Sequence, residues 1–565
     1  MKTDNRERTV KEVLYQPVFR WWDYPLFTVL TAVNGWIIIW FLQHWFSLAD
    51  WPTYPWIYAT LTLLLAVVWV NYFGRWFLLL RMRKPAPVAV PPGLRVAVVT
   101  TFVPEAEPVA MLAYTVRALV SLDYPHDTWV LDEGDDERVK ALCQALGAQH
   151  FSRKHLPQYQ TEQGVFQSRS KHGNYNAWLY EIGFKRYEIV CAFDPDHVPQ
   201  KDFLNTVLGY FTNPQIGYVQ VAPAYYNQEA SFIARGAAEE TYSYFSSIQM
   251  AAHALGYPVI VGSHNTHRVQ ALKDIGGFAP HDADDLLMTL RYRAHGWQGV
   301  YVPQVLAWGL APVDWTGYVG QQRRWARSVL DIKVRQYFRY SANLPWPSRI
   351  LGFWHGFNYL RWSVVMGTAL LLLVVLLAIG LSPAAFSGET VWRLLVVGLV
   401  LQGAEFYRQR FFLDWRQERG WHWRVGILQF ATWPYFLAAL LEVLCGRAKE
   451  YVLTQKVRTK GNSAWLFWPQ ALVAALVGAA WTYGAVTHES VNPYLQVMAG
   501  IVIMGSLALV LSSWLISFPL PFDEQVLEKF LVRHGIGGVR TGGERTLNGA
   551  ACRVTSVAVC ELRGR

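Results

Sequence analysis

Paired cysteines are missing from this 565-residue sequence: its five, at positions 143, 191, 445, 552 and 560, include no C-x-x-C spacing. That argues against both a zinc site and a disulfide framework. The first residues, MKTDNRERTVKEV, are too charged for a cleaved signal peptide. Lysine and arginine are absent from three short connectors, around residues 47–53, 382–390 and 487–494. Long apolar runs are absent from residues 95–334, although they recur on either side. A middle without such runs, between ends that have them, reads as a water-facing domain set between membrane segments.

What is abundant fits that division. Apolar residues make up 52% and aromatics 15% of the chain, and the formal net charge is +10. Tryptophan and tyrosine suit headgroup depth. The positive charge suits loops facing anionic lipid, or an anionic substrate such as a nucleotide, as well as it suits nucleic acid. A helical span needs about 20 mostly apolar residues. Residues 25–46, 54–80, 362–381, 391–406, 463–486 and 495–516 are read as spans. Basic stretches at the N-terminus, at RMRK and at 408–424 and 446–460 place the central domain and both termini on the cytoplasmic side of the plasma (inner) membrane. Residues 425–445 have basic stretches on both sides and are read as an interfacial or re-entrant helix, broken near Trp433-Pro434 and lying along the cytoplasmic face. Five regions result: two spans in 1–90, a cytoplasmic domain in 91–335, interfacial helices, two spans and a loop in 336–462, two spans in 463–518, and a tail of unknown role in 519–565.

Within 95–334, short apolar runs such as VAVVTTF, TWVLDE and YEIVCAFD alternate with helical patterns, which predicts an α/β domain with a mostly parallel sheet. CAFDPDHVP puts Asp194 and Asp196 at a strand end, where open α/β sheets bind ligands and where Mg²⁺ takes one or two carboxylates with substrate phosphates. An acidic turn is the plainer alternative there, and again at VLDEGDD, where Asp132 ends a second strand. QQRRWARS sets Gln321, Arg324 and Trp325 on a helix, where arginine can pair with phosphate and an indole can stack on a sugar. A basic interfacial helix is its plainer alternative. GGFAPHDADDLLMTL gathers Asp282, Asp284 and Asp285 before a helical pattern, as helix caps or as a catalytic base.

Together and in this order, the motifs of residues 95–332 resemble those of the inverting, processive family-2 glycosyltransferases: cellulose synthases, hyaluronan synthases and their relatives. VVTTFVPEAEP resembles the nucleotide-binding strand and loop, and VLDEG stands where the family has DDG. KHGNYNA stands for KAGNLNA and FDPDHVP for D-A-D-H-V-P. VQVAPAYYN resembles VQTPQ-F-YN, GSHNTHR the acceptor-contacting loop, and QQRRW is Q-x-x-R-W unaltered. YVLTQKV resembles the F-x-V-T-x-K gating loop, with Tyr451 for phenylalanine. No cyclic-dinucleotide-binding barrel with R-x-x-x-R is found in the tail.

The resemblance implies a GT-A fold, an α/β Rossmann-like nucleotide-sugar-binding domain embedded in a polytopic α-helical membrane protein. It implies direct displacement at the anomeric carbon of a UDP-sugar, with UDP-glucose and a cellulose-like glucan as the expected donor and product. Thr101, Glu107, Asp132, Lys171 and Asp194 then match nucleotide-sugar contacts, and Asp194 and Asp196 match the D-x-D that holds Mg²⁺ or Mn²⁺. Gln321, Arg324 and Trp325 match the acceptor and diphosphate motif, and Thr454 and Lys456 the gating loop. The family's T-E-D has become Ala283-Asp284-Asp285; counting back six from Arg291 makes Asp285 the base, with Asp284 for the glutamate and Asp282 as a helix cap. The implied partners are the donor, the growing polysaccharide, the bilayer and accessory export subunits, and no nucleic acid. Two alternatives stand beside this: a non-processive transferase acting on a lipid acceptor, and a transporter or inactive scaffold.

Overall fold

The run Val96–Phe102 forms a strand buried along its whole length, and its neighbours explain why it needs no polar alternation. The computed structural model describes residues 15–446, 463, 465–488 and 490–536. In chain order the strands are β1 (Tyr15–Pro17), β2 (Arg83–Pro85), β3 (Val96–Phe102), β4 (Asp127–Asp132), β5 (Gln149–Phe151), β6 (Ile189–Phe193), β7 (Val198–Pro199), β8 (Ile216–Tyr225), β9 (Asn265–Arg268) and β10 (Gln298–Gly309). β1 and β2 form a two-stranded antiparallel sheet that ties the N-terminal segment to the end of the second long helix. The other eight form one sheet in the order β5-β4-β3-β6-β9-β8-β10-β7.

That sheet is mostly parallel, as expected, and mixed only through two reversed strands, β9 and β7. β5, β4, β3 and β6 run parallel, as do β8 and β10; β9 is antiparallel to both β6 and β8, and β7 to β10. Each face carries its own core. Ala97 and Val99 pack on one side with Trp178, Leu272 and Leu290, while Val96 and Val98 pack on the other with Phe203, Val207 and Val300. The two-residue period of a strand sends alternate valines into opposite cores.

Six helices among the described residues are long and apolar enough to cross a membrane: Asp23–Ser47, Pro55–Arg81, Phe357–Ile379, Trp423–Leu444, Trp468–Thr487 and Pro493–Leu515. The set differs from the sequence expectation by one exchange. Gly388–Arg408 forms a 21-residue helix beside Asp23–Ser47, but it carries Glu389, Arg393, Glu405 and Arg408. Trp423–Leu444 keeps its charges, Arg424 and Glu442, at its two ends. Its helix also runs unbroken through Pro434, against the expected break.

The Trp423–Leu444 helix packs along the domain helices Phe232–Ser243 and Trp315–Asp331 on one side and along Phe357–Ile379 on the other. Arg424 pairs with Glu239 at 2.8 Å, and Arg323 pairs with Glu442. Gly236 permits the approach, since a Cβ there would meet Leu428 Cδ1 at 2.6 Å. The tail, given no role from sequence, holds a helix at Glu524–His534 whose Leu527 and Leu531 are buried against Tyr114, Ala118, Val198 and Tyr226.

Candidate active site

The carboxyl ends of five strands meet at one edge of the large sheet. Register sets Phe102 beside Asp132, Thr100 beside Phe193, and Gly309 beside Tyr225. β9 runs the other way, so the loop that precedes it, residues 261–264, opens at the same edge. This edge borders a cavity of ≈ 2280 Å³ that continues between the domain and the long apolar helices. Ligands of α/β sheets gather at such an edge because side chains from successive loops converge there.

Just past β6, Asp194, Asp196 and His197 lie with their ligand atoms all within 4.8 Å of one another. The Asp194 backbone N–H donates to Ser263 Oγ at 2.8 Å, and the Leu310 N–H reaches Asp196 Oδ2 at 3.4 Å. His197 approaches Asp196 Oδ1 through Nδ1 at 3.2 Å and lies against Gly309, where a Cβ would meet its ring at 2.3 Å. Two carboxylates and an imidazole fit Mg²⁺ or Mn²⁺, with the nitrogen donor leaning toward the softer of the two.

Lys171 heads the helix Lys171–Trp178, whose N-cap Ser170 accepts from Gly173 N–H. Its Nζ sits 2.6 Å from Asp194 Oδ1 and donates to the Gly262 carbonyl at 3.2 Å. Burial works against this charge, but the Asp194 and Asp284 carboxylates outweigh it and hold the ammonium well above its usual range.

Asp284 and Asp285 open the helix Asp284–Ala294. The Gly262 N–H donates to Asp285 Oδ2 at 2.6 Å and the Leu286 N–H to Oδ1 at 2.7 Å, so the Asp285 carboxylate is fixed in direction. Burial raises both carboxyls above the ordinary range, and the neighbouring Asp285 charge adds to the effect at Asp284, while Lys171 opposes it at both. Asp282 is not the cap expected from sequence. Ala283 takes the capping position without a side-chain bond, and Asp282 instead binds Arg327.

Gln321, Arg324 and Trp325 all line the cavity from the helix Trp315–Asp331, which starts at an Asp314 cap accepting from Gly317 N–H at 2.7 Å. Opposite, Glu240 accepts from Tyr318 Oη at 2.7 Å and from Gln322 Nε2 at 3.4 Å, and burial pushes its carboxyl up to about 7.

Of the residues expected from sequence, the structure gathers Thr101, Glu107, Lys171, Asp194, Asp196, Asp284, Asp285, Gln321, Arg324 and Trp325 around this one cavity. Glu107 is buried and accepts from the Val103 N–H at 2.9 Å. Asp132 is not on the wall: it is fully buried and accepts from the N–H groups of Gly134 and Asp136 in its own turn. Glu133 faces the cavity in its place, paired with Arg153 at 2.7 Å. Thr454 and Lys456 lie outside the described residues. Sequence reasoning missed His197, Glu240 and Arg327. His197 directly follows the D-x-D, and Arg327 lies one turn past Arg324, so local spacing was the available signal; nothing local marks Glu240.

Residues 92–328 match the model of the glycosyltransferase-like family 2. The chain is 29% identical over 282 residues to the beta-monoglucosyldiacylglycerol synthase of Synechocystis sp., covering 47% of this chain and 56% of that one. It is 26% identical over 284 residues to the UDP-forming cellulose synthase 1 catalytic subunit of Komagataeibacter xylinus, covering 48% and 36%. The chain thus spans about half the length, or less, of these curated relatives. Among solved structures it is similar to the mannosyltransferase PcManGT of Pyrobaculum calidifontis, in complex with GDP-Man and Mn²⁺, at 18% identity and a TM-score of 0.47, over 69% of this chain and 99% of that one. The large sheet, a GT-A arrangement, and the aspartates at its edge lie within the residues that match this glycosyltransferase-like family 2 domain.

Proposed function

We propose that the protein transfers sugar from a UDP-sugar, UDP-glucose in the first place, to the growing end of a β-linked polysaccharide that leaves through its membrane helices. One observation carries the acceptor side of this reading. The cavity that holds the aspartates runs on to a wall of Asn71, Tyr72, Gln402, Glu405 and Arg408 on the long helices Pro55–Leu78 and Gly388–Arg408. Such a wall suits a hydroxyl-rich chain better than acyl tails.

In this reading the acceptor hydroxyl oxygen attacks the anomeric carbon, the bond from that carbon to the diphosphate oxygen breaks with its electron pair leaving on UDP, and the hydroxyl proton passes to Asp285. Asp285 is aimed by the Gly262 and Leu286 N–H groups. Asp284 and Lys171 set the local field, and Arg324 faces the leaving diphosphate. Asp194 and Asp196, with His197 beside them, would hold Mg²⁺ or Mn²⁺, which would neutralise diphosphate charge. Glu107 and Thr101 flank the nucleotide. Thr454 and Lys456 would close over it. The catalytic domain and both termini face the cytoplasm at the plasma (inner) membrane, and accessory export subunits meet the polymer on the far side.

A second reading has its own support: transfer of one sugar to a lipid. The cavity takes lining from Val68 to Leu78 and from Val425 to Glu442 but includes none of residues 363–401 or 468–515. Purified protein in bilayer nanodiscs, fed a panel of UDP-sugars with Mn²⁺ or Mg²⁺, separates the two. Long glycanase-sensitive product supports the polymer reading. Single-sugar lipid alone overturns it, and absence of UDP release with every donor overturns both.

A further inference from the structure

Buried donors in folded proteins ordinarily find an acceptor. Three on the membrane side of the catalytic cavity do not. Arg75 Nε, Arg361 Nε and Trp362 Nε1 are buried without a hydrogen-bond partner, and all three residues line the cavity. They come from different elements, Arg75 from Pro55–Leu78 and the other two from Phe357–Ile379. Their convergence is therefore tertiary and does not follow from one helix face.

The charges in this corner do not balance. Arg408 is committed to Glu405 and to Ser243 and Ser247. Among the described residues neither Arg75 nor Arg361 makes an ion pair; Arg361 donates to Asn358 Oδ1 and lies 4.7 Å from the Trp362 ring centroid. Arg75 feels the charges of Arg408 and Glu405, and Arg361 feels that of Arg75. Three guanidinium groups thus share one carboxylate. A neutral sugar could accept from the free N–H groups, yet it would leave the excess charge uncompensated in a half-buried wall. An anion answers both needs.

Depth narrows the anion. Arg75 lies three residues before the end of Pro55–Leu78, and Arg361 is the fifth residue of Phe357–Ile379. At about 1.5 Å per residue, each sits within about 6 Å of its helix end, level with lipid headgroups. Guanidinium groups from two sides and an indole N–H match the tetrahedral oxygens of phosphate. We propose that Arg75, Arg361 and Trp362 form a phosphate site at the membrane end of the cavity, filled by the headgroup of an anionic phospholipid. The site is apart from the aspartates, so it stands or falls independently of which acceptor the enzyme uses.

The full chain in neutral detergent, without donor sugar, tests this through its thermal unfolding midpoint. Dihexanoyl phosphatidate should raise the midpoint saturably, while dihexanoyl phosphatidylcholine at the same concentration should raise it much less. The double substitution Arg75→Gln, Arg361→Gln should move the half-saturating concentration at least tenfold. Arg361→Lys, which keeps the charge, should move it less than threefold, and Arg339→Gln, exposed and outside the cavity, should leave it unchanged. Absence of a saturable rise, or the same rise in the double variant, overturns the site. Equal protection by inorganic phosphate at the same concentration overturns the lipid source and assigns the site to free phosphate. Because no sugar transfer is read, a failure here is distinct from failure of the polymer reading.

Discussion

Asp282 grips the guanidinium of Arg327, and this pair joins the turn that presents Asp284 and Asp285 to the helix that presents Gln321, Arg324 and Trp325. A second link, His281 to Asp331 at 3.2 Å, lies along the same helix. Both side chains of the first pair are mostly buried, 21% and 16% exposed, so breaking it strands a charge rather than freeing a solvated one. Asp282→Asn is expected to cost about 1–3 kcal/mol of stability and roughly tenfold in kcat with donor affinity nearly unchanged. Thermal unfolding and steady-state kinetics on the single variants, with the charge-swapped Asp282→Arg, Arg327→Asp pair as partial rescue, check it.

Asp285 and Asp284 differ in how they are held, and the difference predicts unequal roles. Asp285→Asn keeps the size and can still accept one N–H, but it cannot take a proton. Transfer should fall by about a thousandfold or more, while UDP binding changes by less than threefold. Asp284→Asn should lose less activity. A collapse of UDP affinity in Asp285→Asn, read by calorimetry, would make Asp285 a nucleotide ligand instead.

The Asp194–Asp196–His197 cluster predicts an absolute metal requirement. Chelation should abolish UDP release, and added Mn²⁺ should restore it. Asp196→Asn should raise the half-saturating metal concentration at least tenfold, which Mn²⁺ paramagnetic resonance reads directly without turnover. Wild-type activity surviving exhaustive chelation would remove the metal from the reaction.

Glu240 predicts a pH dependence of stability. Burial raises its carboxyl from 4.5 to about 7. In the folded protein it keeps its proton over a range where the unfolded chain has released its own, so this group's contribution to stability is present at low pH and is lost as pH rises from about 4.5 to about 7. Glu240→Gln removes that loss. Its unfolding temperature relative to wild type should climb across this window and level off above it, by the equivalent of about 1–2 kcal/mol once cavity solvent is allowed for. A difference that is flat with pH would show that Glu240 keeps an ordinary carboxylate.

Sequence spacing located most of this site because its parts are local. Asp194 and Asp196 end one strand, Asp284 and Asp285 start one helix, and Gln321, Arg324 and Trp325 share one helix surface, so each group is legible without knowing the fold. The cross-links are not local. Arg327 meets Asp282 across 45 positions and Tyr318 meets Glu240 across 78, and no periodicity reports such pairs. The antiparallel β9 was likewise hidden: NTHR is short and polar, and only its place between β6 and β8 makes it a strand. The placement of Asp132 was hidden for a related reason. An acid at a strand end can serve a ligand or its own turn with equal ease, and here the Gly134 and Asp136 N–H groups claim it.

The helix Glu524–His534 gives the last prediction. Its Asp523 cap accepts from the Gln525 and Val526 N–H groups, Tyr114 Oη donates to Glu524 at 2.9 Å and Glu528 at 2.7 Å, and Phe530 lies against Trp308. Trp308 pairs with Val198 in the sheet, two residues from Asp196. The helix therefore braces the β7–β10 strand pair beside the candidate metal cluster. Leu527→Ala should cost about 2–4 kcal/mol. It should also weaken Mn²⁺ binding several-fold, whereas Lys529→Ala on the same helix should do neither. If Leu527→Ala lowers the unfolding temperature but leaves Mn²⁺ affinity intact, the helix stabilises the domain without bracing the site.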